Sequence, residues 1–253
     1  MGNEPEDQEE ITEPHAIVGD AETSNEGVLR KRFETVFREL PVDQRAAQAR
    51  VAAGEDLAAF CFDPMPAVIR SILENSHTNL THARLIARHH RNGVGIEAIT
   101  MRATFTADSA VRKELLGNPQ LPAGALRRIW ASRPMHEQWL ATTSRDVPEQ
   151  NRKGAREVLR TRFASGPAEE KVELIMRTEG RCLGLLTGIP LDSKSTALLC
   201  RRTFVSTLFI QNLARWPACP PPLLTQLMRQ ETVKRNPQLR EMLKRHPNAP
   251  SSP

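Results

Sequence analysis

Apolar residues and prolines recur along this chain at fixed offsets from a central proline. They run Val111, Leu115, Asn118-Pro119, Pro122, Leu126, Ile129, then Phe209, Leu213, Trp216-Pro217, Pro220, Leu224, Leu227, and last Leu239, Leu243, His246-Pro247, Pro250. The first two apolar positions of each run lie at i and i+4, one stripe of a helix. The central proline has no N–H and biases the residue before it out of the α region, so it ends that helix. The next proline opens another, because a first helical turn leaves its N–H groups without intrahelical partners. The phrase therefore predicts helix, tight corner, helix. Two weaker copies keep the register: Val68, Ile72, Asn75-Ser76, Asn79, Ala83, Ile86, and Cys182, Leu186, Ile189-Pro190, Ser193, Ala197, Cys200. The central positions 76, 119, 190, 217 and 247 are separated by 43, 71, 27 and 30 residues, so the array is irregular.

The same periodicity predicts helices over 65–74, 79–90, 93–103, 107–117, 122–132, 135–144, 148–164, 168–178, 193–213, 221–232 and 236–245. Ahead of them, Val28, Phe33, Val36, Phe37 and Leu40 form a stripe ended by Pro41. Asp43 is placed to cap an alanine-rich helix, and a third helix runs from Glu55 to Phe62. Asp108, Ser193, and Asn79 or Thr81 read as further N-caps. Gly180, Gly184, Gly188 and Pro190 make 180–194 the least helical stretch and a candidate joint.

This pattern predicts an all-α fold, an irregular right-handed α-solenoid of short repeats. Its expected parts are a disordered acidic tail over 1–26, an N-terminal helical cap over 27–63, one repeat sub-stack over 64–179, and a basic sub-stack over 180–253. The passages Leu115-Leu116-Gly117-Asn118-Pro119-Gln120-Leu121-Pro122 and Leu243-Lys244-Arg245-His246-Pro247-Asn248-Ala249-Pro250 resemble the leucine-rich variant repeats, a bacterial helical-repeat family similar in style to HEAT repeats. The resemblance implies a right-handed solenoid used for binding. The iron–sulfur segment of some members is not carried over, because Cys61 is the only cysteine among the first 180 residues.

Composition supports helices over strands. There are only 8 Phe, 3 Trp and no Tyr in 253 residues, so aliphatic side chains must supply the burial. Neither GxGxxG nor GxxxxGK[ST] occurs.

Charge divides the chain. Nine acids and no Lys or Arg fall in residues 1–26, which leaves 35 basic against 21 acidic residues, a body of +14. Such a body favours acidic partners, and the tail is opposite in charge and suited to screening it. The four cysteines form no CxxC pair and sit in apolar contexts, which predicts buried free thiols in a reducing compartment. The N-terminus lacks a basic region followed by an apolar core, and Arg201-Arg202 interrupts the most apolar stretch. A cytoplasmic chain without a membrane span is expected.

Candidate chemistry is sparse. His77, His82, His89 and His90 cluster, but neighbouring Arg84, Arg88 and Arg91 oppose a cation, and solvated histidines are expected rather than a metal site. Trp130 and Trp139 stand among Arg127, Arg128, Arg133 and Arg145. With Arg201, Arg202, Arg235, Arg240, Lys244 and Arg245 these residues make the candidate binding face. No nucleophile–base arrangement, cofactor or metal is indicated. The expected function is non-enzymatic binding of another protein or peptide. Nucleic-acid binding by the basic face is the alternative, and a HEAT-like DNA glycosylase using Asp146 is a third.

Overall fold

The computed structural model describes residues 25–249, and within them every regular element is helical. The fold is all-α. The chain divides into two compact units, one up to Val111 and one from Arg112. The acidic segment 1–24 lies outside the described residues. Asn25 and Glu26, expected in the tail, are helical instead, and Glu26 forms an ion pair with Arg88 and a hydrogen bond with His89 Nε2 at 2.8 Å.

The first unit holds α1 (25–32), which widens into a π turn over Phe33–Phe37, α2 (Val42–Val51), α3 (Gly54–Phe60), α4 (Pro66–Glu74), α5 (Leu80–His89), α6 (Gly93–Thr100) and α7 (Ala103–Thr106). α8 (Ser109–Gly117) contains the division in its first turn. Helix α4 packs between α2 and α6, while α3 packs on α5, so alternate helices share a layer. Between the layers lie Leu57, Phe60, Ile69, Ile72, Ile86, Ile96 and Ile99. Caps fix the entries. Asn79 accepts from the N–H groups of Thr81 and His82, and His82 returns a bond to Asn79 N–H, which makes a capping box. Asp108 Oδ1 accepts from Val111 N–H at 2.8 Å, as its sequence position predicts. Asp43 makes no cap: α2 starts after Pro41, and Asp43 sits in its first turn.

One cluster ties this unit together. Arg45 Nε donates to Asp63 Oδ2 at 2.7 Å, and its Nη1 donates to the carbonyls of Arg38 and Leu40. Asp63, fully buried, also accepts Met65 N–H, and its own carbonyl lies 3.1 Å from His90 Nδ1. Burial pushes the Asp63 carboxyl above its ordinary range, while Met65 N–H and Arg45 pull it back. His77 is exposed as expected, but three other histidines of this unit differ from their expected solvation. His82 and His90 are buried and His89 is half-buried, each held by a specific bond. Among the described residues no group of three His, Cys, Asp or Glu side chains can hold a metal ion.

The second unit continues with α9 (Ala123–Trp130), α10 (Met135–Thr143), α11 (Glu149–Ser165), α12 (Ala168–Arg177), a 3₁₀ turn (Arg181–Leu185), α13 (Ser193–Cys200), α14 (Thr207–Ala214), α15 (Pro221–Met228), α16 (Glu231–Lys234) and α17 (Pro237–Lys244). Its core runs from Met135 to Leu243 without interruption across 180–194. As expected, 180–192 carries no α-helix, only the 3₁₀ turn, entered through Gly180 at φ 74°, a left-handed conformation that favours glycine. The helix anticipated over 193–213 breaks at 201–206, because Phe204 turns into the core and Ser206 caps a new helix through Phe209 N–H. Asp192, not Ser193, caps α13.

A single device recurs at the corners. A polar side chain of one repeat donates to main-chain carbonyls at a helix end of another. Asn75 donates to Ala49 and Ala52, Asn151 to Leu116 and Asn118, Gln230 to Arg202, and Asn248 to Pro217 and Cys219. The partners are 26, 35, 28 and 31 residues apart for Asn75–Ala49, Asn151–Leu116, Gln230–Arg202 and Asn248–Pro217. These carbonyls have no intrahelical donor, and leaving them buried and unbonded is costly. Asn151→Ala should therefore lower the stability of the second unit by about 1–3 kcal/mol, read as a lowered urea midpoint with an unchanged slope.

The thiols agree with expectation. Cys61, Cys182 and Cys219 are buried, Cys200 is half-buried, and all four are free. Burial pushes Cys182 up to about 11 and Cys219 up to about 12. Among the described residues no helix is long and apolar enough to cross a membrane.

Candidate macromolecular interface

Hydrogen bonds show how four helices of the second unit are aligned. Glu170, in the first turn of α12, accepts from Met135 N–H at the start of α10. Lys171 bonds Asp192 at 2.8 Å, and Lys194 pairs with Glu169, so the starts of α12 and α13 also lie together. At the other end, Gln230 donates to Arg202 carbonyl and accepts Phe204 N–H, and Thr232 Oγ1 donates to Phe204 carbonyl. The ends of α13 and α15 are therefore neighbours. Helices α10, α12, α13 and α15 run parallel in consecutive contact.

Parallel helices place their C-termini along one edge. Arg145 follows α10, Arg177 ends α12, Arg201 and Arg202 follow α13, and Arg229 follows α15. Adjacent axes are about 8–10 Å apart in packed helices, so the row advances by about one helix per cation. Each arginine faces the partial negative charge of a helix end, worth about 0.3–1 kcal/mol. Arg177 pairs with Glu173 at 3.2 Å. Among the described residues, Arg145, Arg201, Arg202 and Arg229 have no carboxylate partner, and all four are exposed. The row can therefore take carboxylate or phosphate oxygens, which a guanidinium meets with two parallel N–H groups.

The sequence-predicted face sorts into different places. Arg145, Arg201 and Arg202 belong to the row. Arg127 and Arg128 are exposed on α9, where Arg127 pairs with Glu157 at 3.3 Å. Arg133 is half-buried at the α9–α10 corner, its carbonyl bonded by Gln138. Arg235, Arg240, Lys244 and Arg245 are exposed on or just after α16 and α17, with Arg245 bonded to Glu241. Of the two tryptophans assigned to that face, Trp130 is withdrawn from the surface. Trp130 is 4 % exposed and belongs to the core, and Trp139 is half-buried, packed against the core with His136 at 5.9 Å. An amphipathic helix end places a tryptophan inward beside outward arginines, so chain proximity misled here. Asp146 is exposed at the α10–α11 corner.

Arg177 and Arg229 were not among the predicted site residues. A usable signal exists: arginine occupies the C-cap of α13, α14, α15, α16 and α17, at positions 201, 215, 229, 235 and 245. The unit also has an open cavity of about 420 Å³ between α9 and α11, lined by Arg127, Ala131, Glu157, Val158, Thr161 and Arg162. Its charged groups pair with their neighbours: Arg127 with Glu157, and Arg162 with Glu170. No protein-family model, curated protein or solved structure matches the chain.

Proposed function

We propose that the protein is a non-enzymatic binding scaffold, an irregular right-handed α-solenoid of leucine-rich-variant type that recognises another protein. The observation that carries this reading is the row of unpaired arginines at the ends of parallel helices α10, α13 and α15. Stacked repeats offer such an edge as an extended surface, each helix contributing one register position. Buried, unpaired thiols fit a reducing cytoplasm. The acidic segment 1–24 then competes for the same cations.

The test replaces Arg145, Arg201 and Arg229 together by Glu and compares capture of partners from an extract of the protein's own cells. These side chains are exposed, so circular dichroism should be unchanged. A protein retained by the wild type after nuclease treatment and absent with the variant is the expected result. Equal capture by both would discard the arginine row as the interface. The same cations also permit nucleic-acid binding, which nuclease-sensitive capture with a steep salt dependence would select instead.

A further inference from the structure

The break between α13 and α14 interrupts an apolar stripe that would otherwise continue as helix, and it is rigidly held. Phe204 is 1 % exposed and meets Phe209 edge-on at 5.1 Å. Phe204 N–H is accepted by Gln230 Oε1 at 3.3 Å, its carbonyl accepts Thr232 Oγ1 at 3.2 Å, and Ser206 caps the helix that follows. This anchoring turns the flanking residues outward. Arg201 and Arg202 are exposed, Val205 is 78 % exposed, and Leu208 is 45 % exposed. Arg229, adjacent to the anchoring Gln230, joins them at the same edge.

We infer that this joint docks an acidic protein segment carrying an aliphatic side chain, which deepens the scaffold reading and rests on it. The three guanidinium groups supply charge complementarity to carboxylates, with forked geometry. Val205 and Leu208 supply what charge alone does not: a small exposed apolar contact in the same segment as Arg201 and Arg202, where a partner's aliphatic side chain can lose its water and contribute to affinity. These two side chains gain nothing from a phosphate backbone. Phe204 and Trp216 are both in the core and offer no ring for stacking bases. A protein segment uses both halves of the patch, whereas a nucleic acid uses one.

The experiment measures fluorescence anisotropy of the full chain with three labelled probes. They are a peptide of repeating Glu-Glu-Leu, a matched peptide of repeating Glu-Glu-Ser, and a single-stranded oligonucleotide. The leucine peptide should bind about tenfold more tightly than the serine peptide, the scale of one buried aliphatic side chain. Arg201→Gln with Arg202→Gln should weaken both peptides by about tenfold, more at low salt than at physiological ionic strength. Val205→Ser should weaken only the leucine peptide, by about fivefold, and being an exposed substitution it leaves the circular dichroism spectrum unchanged. Equal affinity for the two peptides, indifference to Val205→Ser, or tighter binding of the oligonucleotide each overturns the inference. If the leucine peptide fails to bind while Arg145, Arg201 and Arg229 are still needed for capture of a protein, the scaffold reading stands and this docking site falls. If capture also survives their replacement, both fall.

Discussion

Replacing Arg45 by Met should destabilise the first unit by about 3–5 kcal/mol, the largest effect expected of any single substitution here. Methionine roughly keeps the volume and the stem of arginine. What it removes is the partner of a carboxylate with no solvent contact, together with two donors to the carbonyls of Arg38 and Leu40. Asp63 would be left with Met65 N–H as its remaining donor. The sign with pH follows. Burial already raises the Asp63 carboxyl, and losing Arg45 removes an opposing influence. The folded variant then holds a proton that the unfolded chain releases, so its stability rises as pH falls through the raised value. The deficit should be greatest near pH 7 and shrink towards about pH 5, measured by urea unfolding at both. A deficit independent of pH would show that lost packing, not a stranded charge, is the cause.

The second large effect concerns Gly95, inside α6. On propensity alone alanine should be better there by about 1 kcal/mol. Sterics reverse the sign. A Cβ at this position would lie 2.0 Å from His90 Nε2 and 2.4 Å from its Cδ2. The ring cannot swing away freely, since it is buried and its Nδ1 is bonded to the Asp63 carbonyl. Gly95→Ala should therefore cost about 1–3 kcal/mol. In the double variant with His90→Ala the two losses should fall clearly short of adding, because the second substitution removes the obstacle that makes the first harmful. Strict additivity by chemical denaturation would place the cost elsewhere.

Most of the helices were legible because local rules agree with the tertiary arrangement. Pro119, Pro217 and Pro247 all sit at corners, and the i, i+4 stripes before them are buried, as Val111 and Leu115, Phe209 and Leu213, and Leu239 and Leu243 show. What escaped was decided by distant residues. Between Ala197 and Phe209 only Arg201 at the C-cap and Ser206 at the N-cap mark the helix break locally; Gln230 and Thr232, from the next repeat, hold it open. The burial of His90 was hidden because its chain neighbours are arginine and histidine, while the space it fills is made by Gly95. Trp130 was misplaced for a related reason: its nearest cations in sequence, Arg127 and Arg128, are exposed while its own ring is buried. The candidate edge was only half legible. Its charges are plain in the sequence, but their alignment depends on which helices run parallel, a fact carried by Glu170, Lys171 and Gln230.

The corner bonds bear on how far such a chain can drift. Each has a specific side chain on one side only; the receiving groups are main-chain carbonyls that any residue supplies. A corner can therefore change every one of its own side chains and still be recognised by the amide that reaches it. Loop lengths can vary as long as two carbonyls arrive at the same place. Such a joint constrains shape while leaving the text almost free, so the proline phrase fades to a serine at position 76 while Asn75 beside it still grips Ala49 and Ala52.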